Sequence, residues 1–250
     1  MKPQFKDNFS LQSATYAKFR PRYPEAIFEF LAGLCSNRKT AWDCATGNGQ
    51  CAVPLTKFFE SVIATDASEK QLSNAEQHSR ISYRLARAEE SGLTAGSVDL
   101  ITVAQALHWF RIENFWNEAR RVLRPGGVIA VWCYAFLEVA PEIDGIVNRF
   151  YSEAVGPYWD FERTLVEEGY RSIDFPFSQV AVPTFAMTAS WSLPQLVGYL
   201  RSWSATQKFI GENNFDPTEQ IASELASAWE DPSAERKVQW PLHFKVGRNA

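Results

Sequence analysis

The chain has 250 residues, 46% of them apolar and 22% charged, which suits one domain able to bury most of its unfolded surface without disulfide staples. Twenty-five Lys and Arg against 29 Asp and Glu leave a formal charge of −4, which gives no broad basic footprint for duplex nucleic acid or an anionic membrane.

In chain order, Pro24 to Leu34 carries apolar residues at helical spacing (Ile27, Phe28, Leu31, Leu34). Thr40 to Ala45 reads as a short apolar strand, broken by Thr46-Gly47-Asn48-Gly49. Gln50 to Phe59 follows as a helix in which Pro54 is tolerable only within the first turn. Ser61 to Thr65 is a second strand ending at Asp66, and Ser68 is placed to cap a helix running to about His78. Ile81 to Leu85 and Val98 to Ala104 are further strands, the latter continuously apolar enough for burial on both faces. Ile112 to Leu123 is a helix, Arg124-Pro125-Gly126-Gly127 stops it, and Val128 to Cys133 is a fifth strand. Five strands alternating with helices imply right-handed crossovers and a parallel sheet covered on both faces.

Beyond Tyr134 the rhythm changes. Helices are expected over Pro141 to Val155, Asp160 to Glu168, Leu193 to Trp203 and Pro217 to Trp229, with strands near Gln179 to Phe185 and Val238 to Val246. The expected organisation is one domain. Residues 1–34 would form an N-terminal lid and helix, 35–133 a binding core, 134–235 cap helices and an edge strand, and 236–250 the last strand.

Cys35, Cys44, Cys51 and Cys133 form no C-x-x-C pair and have no histidine cluster beside them, so no metal site is expected and the thiols read as reduced. Met1 to Leu11 lacks the apolar core of a signal peptide, and no run reaches the roughly 18 apolar residues of a membrane helix. The expectation is a cytoplasmic protein with no membrane or nucleic-acid partner. No heptad pattern or extended apolar edge indicates an oligomeric state.

The strongest chemical signal is Trp42-Asp43-Cys44-Ala45-Thr46-Gly47-Asn48-Gly49, a strand feeding a glycine turn that opens a helix. Glycine lets a ligand approach the backbone, and a helix N-terminus favours an anionic group. The same turn also serves as a tight connection with no ligand. Asp66, about 20 residues on at the end of the second strand, stands where a carboxylate can accept both hydroxyls of a ribose; a strand-end Asp can equally cap the next helix.

These residues belong to a longer ordered series: Asp43-x-Ala45-x-Gly47-x-Gly49, Asp66, Ala88-Glu89, Val98-Asp99-Leu100, Gln105-Ala106-Leu107-His108-Trp109 and Arg121 to Gly127. The series resembles class I S-adenosylmethionine-dependent methyltransferases, and more narrowly the trans-aconitate methyltransferase-like, type 11 group. Tyr16 to Pro24 and Gly198 to Ser204 are similar to further signatures of that group. The resemblance implies a Rossmann-like α/β fold of about seven mostly parallel strands, with helices on both faces, an antiparallel edge strand and helical cap elements. It implies S-adenosyl-L-methionine as cofactor, with the turn from Asp43 through Ala45, Gly47 and Gly49 at the methionine moiety. Asp66 would hold the ribose, while Ala88 and Glu89 would sit beside the adenine. Gln105 and His108 would face the sulfonium, His108 being the candidate base, and Tyr16 and Arg20 would fold over the site. Trp109 and Trp203 would border the pocket of a small-molecule acceptor, which the resemblance suggests to be a carboxylic acid. Arg20, Arg111, Arg149 and Arg201 are available to recognise such an acid. Two positions depart from the family pattern: Ala45 replaces the first glycine of the turn, and Arg87 stands where an acidic residue often meets the adenine.

A nicotinamide-dependent oxidoreductase on the same sheet is the competing reading. It would want a Tyr-x-x-x-Lys or comparable pair after the fourth strand, and Thr102 to Arg124 contains neither Tyr nor Lys. A protein that binds the donor without turnover is the other alternative. The nine tryptophans divide unevenly: Trp159, Trp191, Trp203, Trp229 and Trp240 all follow the fifth strand, where a substrate cover is expected.

Overall fold

The computed structural model describes residues 21–250. Helix α1 (Glu25–Leu34) precedes strand β1 (Thr40–Cys44), and α2 (Ala52–Leu55) follows the glycine turn. Strand β2 (Ser61–Asp66), helix α3 (Glu69–Ser73), and strands β3 (Ile81–Leu85) and β4 (Val98–Ala104) come next. Helix α4 (Ile112–Val122) then leads into β5 (Leu123–Cys133). The remaining elements are α5 (Pro141–Arg149), α6 (Arg163–Glu167), β6 (Ser178–Gln179), β7 (Ala186–Trp191), α7 (Leu193–Arg201), α8 (Ser204–Asn213), α9 (Ala222–Trp229), β8 (Arg236–Pro241) and β9 (His243–Arg248).

Seven strands form one sheet in the order β3-β2-β1-β4-β5-β9-β6. The five strands β1 to β5 are mutually parallel, while β9 runs antiparallel to β5 and to β6. The antiparallel strand is therefore one in from the edge, and the two-residue β6 lies outside it. Chain order reverses between β1 and β4. Such a switch point opens a crevice at the carboxyl ends of the strands, where open α/β sheets bind ligands.

Strand alternation divides the core. Leu100, Val128, Ala130 and Trp132 face one layer with Ile27, Phe28 and Leu31 of α1. Ile101, Val103, Ile129 and Val131 face the other, with Phe115, Trp116 and Ala119 of α4. Burial of both faces explains why β4 is apolar apart from Asp99 and Thr102. Asp99 accepts hydrogen bonds from the backbone N–H groups of Lys39 (2.9 Å) and Thr40 (2.8 Å) and pairs with Arg124, so it ties the start of β1 to β4 and β5.

Several elements differ from the sequence expectation. Helix α2 spans four residues instead of Gln50 to Phe59, continuing only as turns such as Lys57 N–H to Pro54 O (3.1 Å). Helix α3 ends at Ser73 and not near His78, although Ser68 does cap it, its hydroxyl accepting from Gln71 N–H. Of the strand expected over Gln179 to Phe185 only Gln179 lies in a strand, at the end of β6; β7 begins beyond it, at Ala186, after Pro183, which has no N–H for a ladder. The single terminal strand is likewise two strands in different sheets: β8 pairs with β7, and β9 joins the main sheet. Strand β5 begins at Leu123, five residues early, because the Arg124 to Gly127 segment continues along β4 after an irregularity. Helix α5 is shorter than expected and passes into a wider turn over Phe150–Ala154. Helix α8 was not expected at all.

All four cysteines are free. Among the described residues no helix is long and apolar enough to cross a membrane, and no group of three His, Cys, Asp or Glu stands together as a metal site.

Candidate active site

The site begins with a buried carboxylate. Asp43, on β1, is only 1% exposed, and it accepts hydrogen bonds from the hydroxyls of Thr46 and Thr102 (2.8 Å). Burial pushes its pKa up to about 6 and the nearby Asp66 adds to this, against the opposing Thr46, Thr102 and Ala52 N–H contacts. Both carboxylate oxygens are thus engaged in holding the turn. Thr102 is the one hydroxyl on the buried face of β4, and that polar residue in an apolar strand is the sequence signal that could have identified it.

The turn is built from left-handed backbone. Ala45, Gly47 and Gly49 have φ of 54°, 57° and 92°. The first of these explains why the resembling family prefers glycine at position 45, since an L-residue there costs roughly 1–2 kcal/mol. The two glycines have different reasons to be glycine. A Cβ on Gly49 would lie 2.6 Å from the Tyr83 hydroxyl, which itself donates to Glu76 O (2.7 Å). A Cβ on Gly47 would meet nothing nearer than Gln71 Oε1 at 3.9 Å. The backbone at Gly47 therefore faces open space that a ligand can fill, and the backbone at Gly49 faces protein.

Asp66 joins this turn from the end of β2. Its Oδ2 accepts from Gly47 N–H (2.8 Å) and its Oδ1 from Ser68 N–H (2.9 Å), while its carbonyl accepts from Ala86 N–H (3.0 Å). The side chain is only half-buried. Ala88 is buried and Glu89 half-buried in the loop after β3, where Glu89 accepts from Arg111 N–H (2.7 Å) at the start of α4.

After β4 the chain turns sharply. Gln105 has φ of 55°, and its side-chain amide spans both backbone groups of Tyr134, donating to the carbonyl and accepting from the N–H, each at 2.9 Å. Its amide thus extends the β4–β5 ladder. His108 is buried, with Nδ1 2.9 Å from the Tyr170 hydroxyl. Burial and the neighbouring Arg163 push its pKa down to about 3, against Asp160, so the imidazole is neutral and weakly basic. Trp109 is half-buried against it, with ring centroids 4.7 Å apart.

Trp203 does not meet Trp109. It is 6% exposed within an aromatic cluster of Phe150, Tyr151, Trp159 and Tyr199, at centroid distances of 5.6 to 6.0 Å. Arg163, which sequence reasoning did not single out, connects this cluster to His108. Nothing in its charged helical context marks it in the sequence. Tyr16 and Arg20 lie outside the described residues.

Comparison with known proteins agrees with this architecture. A family model described as a methyltransferase domain matches residues 42–131. A Dictyostelium discoideum protein described as a methyltransferase is 34% identical over 98% of this chain and 96% of its own. A Saccharomyces cerevisiae protein described as an S-adenosylmethionine-dependent methyltransferase is 23% identical over 96% of this chain and 97% of its own. A solved structure described as a type II methyltransferase from Anaeromyxobacter dehalogenans superposes with a TM-score of 0.87 at 41% identity, covering 92% of this chain and 98% of that one. With S-adenosylmethionine as its methyl donor, the chain belongs to the class I S-adenosylmethionine-dependent methyltransferases.

Proposed function

We propose that this methyltransferase acts on a small-molecule acceptor, and that the acceptor is a carboxylic acid. The donor supplies an activated methyl group on a sulfonium, a leaving group that needs no further activation by the protein. The chain's residues then bind, orient and exclude water. The open backbone at Gly47, with Ala45 and Gly49 shaping the turn and Asp43 holding it from below, takes the methionine portion. Asp66 takes the ribose hydroxyls, and Ala88 with Glu89 flanks the adenine. Arg87, in place of an acidic residue, leaves the adenine amino group without a carboxylate partner at that position. Trp109 and Trp203 contribute to the acceptor side, Trp109 directly and Trp203 through the cluster it anchors. Gln105 acts as a positioning residue for the end of β4.

The observation that carries the acceptor class is the state of His108. It is the base candidate by position, yet its imidazole is buried with Nδ1 engaged by the Tyr170 hydroxyl (2.9 Å), and that burial lowers its pKa, so it has little driving force to take a proton from a phenol or an ammonium at neutral pH. An acceptor already ionised, such as a carboxylate, needs no proton removed. Orientation alone can then supply about 7–11 kcal/mol of rate advantage.

The test combines donor binding with acceptor discovery. Calorimetry with S-adenosylhomocysteine and NAD, on wild type and Asp66→Ala, is expected to show homocysteine-analogue binding lost at least tenfold in the variant and no NAD binding. A screen of radiolabelled methyl transfer onto metabolite acids, phenols and amines is expected to label acids. Unchanged affinity in Asp66→Ala refutes the ribose assignment, and label confined to phenols or amines refutes the acceptor class.

A further inference from the structure

The arginines available in the sequence for binding an acid are already matched in the structure. Arg111 lies 3.7 Å from Glu89, Arg149 pairs with Glu224 and Arg201 with Asp216; Arg20 lies outside the described residues. Arg163 is different. Among the described residues no carboxylate lies within ion-pair distance of its guanidinium, although the group is half-buried. Of the acidic side chains near it in sequence, Asp160 binds Lys208 (2.7 Å), Glu167 accepts from the Tyr151 hydroxyl, and the adjacent Glu162 makes no ion pair with it.

Its position is held from four directions. Nε donates to the Tyr151 hydroxyl (2.9 Å) and Nη2 to the carbonyl of Ala135 (3.1 Å), two residues past the end of β5. The guanidinium carbon stands 4.9 Å from the Trp159 ring centroid and 5.6 Å from that of Tyr151. These contacts use two of five N–H donors and leave an oriented edge. That edge belongs to a group whose charge is felt by His108, immediately after β4. The ends of β4 and β5 adjoin β1 and its glycine turn on the same edge of the sheet. Exposed Phe136 packs edge-on against Tyr151 (5.0 Å) and offers an apolar surface beside the guanidinium.

From this, and resting on the acid-acceptor reading above, we infer that Arg163 is the acceptor-binding residue that selects an anionic substrate, receiving a carboxylate in its free fork while Trp159 and Phe136 contact an apolar body. The Glu167 carboxylate reaches Arg163 only through the Tyr151 hydroxyl, so the half-buried fork has no anion bound directly, and an Arg–carboxylate fork gives both strength and orientation. The same arrangement opposes cationic acceptors.

The experiment measures binding separately from turnover. Cinnamate, hexanoate and succinate, each beside its amide, are titrated by calorimetry into the full chain saturated with S-adenosylhomocysteine. Wild type is expected to bind at least one acid more than tenfold tighter than its amide. Arg163→Met is expected to erase that preference, with a loss of roughly 10- to 100-fold in acid affinity. Arg163→Lys, which keeps the charge but not the fork, is expected to fall between. S-adenosylhomocysteine affinity within twofold of wild type in both variants shows that the fold survives. Equal binding of acids and amides, failure of all three acids to bind, or a preference that persists in Arg163→Met overturns the inference. Failure of wild type to bind S-adenosylhomocysteine would instead overturn the donor-site assignment on which it rests.

Discussion

Gly47 and Gly49 are two residues apart in one turn, yet alanine at the two positions should do different things. Gly49→Ala places a methyl group 2.6 Å from the Tyr83 hydroxyl and forces a φ of 92° on an L-residue. The backbone strain costs about 1–3 kcal/mol. Moving the phenol aside loses its hydrogen bond to Glu76 O, about 1 kcal/mol more. The expected destabilisation of the donor-free protein is therefore about 2–4 kcal/mol, a fall in Tm on the order of 4–16 °C for a chain of this size. Tyr83→Phe should relieve the clash, so the double variant should recover about 1 kcal/mol relative to the sum of the single variants. Gly47→Ala meets no atom within 3.9 Å and adopts an ordinary left-handed φ, so its stability cost should be only about 1–2 kcal/mol. Its methyl group instead occupies the space assigned to the donor, and S-adenosylhomocysteine affinity should drop at least tenfold. Urea unfolding of the free proteins and calorimetry with S-adenosylhomocysteine measure the two effects separately. If Gly47→Ala binds like wild type, or if Tyr83→Phe gives Gly49→Ala no relief, the division of roles between the glycines is wrong.

Two further outcomes follow from the same turn. Asp43 keeps its proton to about pH 6 when folded but only to about 3.8 when unfolded, so the unfolded state binds fewer protons between these values. Stability from this group is therefore greatest below pH 4 and is lost as pH rises through 6, by on the order of 3 kcal/mol. Asp43→Asn should flatten that downward trend in urea unfolding between pH 4.5 and 6.5; coincident pH slopes would contradict it. Ala45→Gly relieves the left-handed strain but adds unfolded-state entropy, for a net gain of about 0.5–1 kcal/mol. A lower unfolding midpoint in Ala45→Gly would show that the alanine methyl contributes packing that outweighs the strain.

The first five strands are legible in chain order because each is a short apolar run followed by a helix or turn signal; their order in the sheet is not. The glycine turn and Asp66 were legible because they follow strand ends at the spacing a nucleoside requires. Ser68 was read as a cap for the same local reason. The failures are all non-local. A continuous apolar pattern from Val238 to Val246 cannot show that its two halves pair with different partners, because pairing depends on what β7 and β5 present.

Within the candidate site the same boundary holds. Asp43, Gly47, Gly49 and Asp66 are neighbours of their motif, so local sequence determined that they belong together. Their separate duties came only from the folded geometry: Asp43 faces Thr102 from another strand, and Gly49 faces Tyr83 from a third. Gln105 was read as a donor contact, and tertiary structure turns its amide to Tyr134. The sharpest case is Arg163. Nothing within ten residues of it indicates that its charge lacks a carboxylate, because that property is defined by what Asp160, Glu167, Lys208 and Tyr151 do in space. Composition and local pattern determine the elements and the cofactor turn, since short-range sterics and periodicity govern both. The electrostatic character of the acceptor side arises from side chains brought together across the sheet edge, and only the tertiary structure decides it.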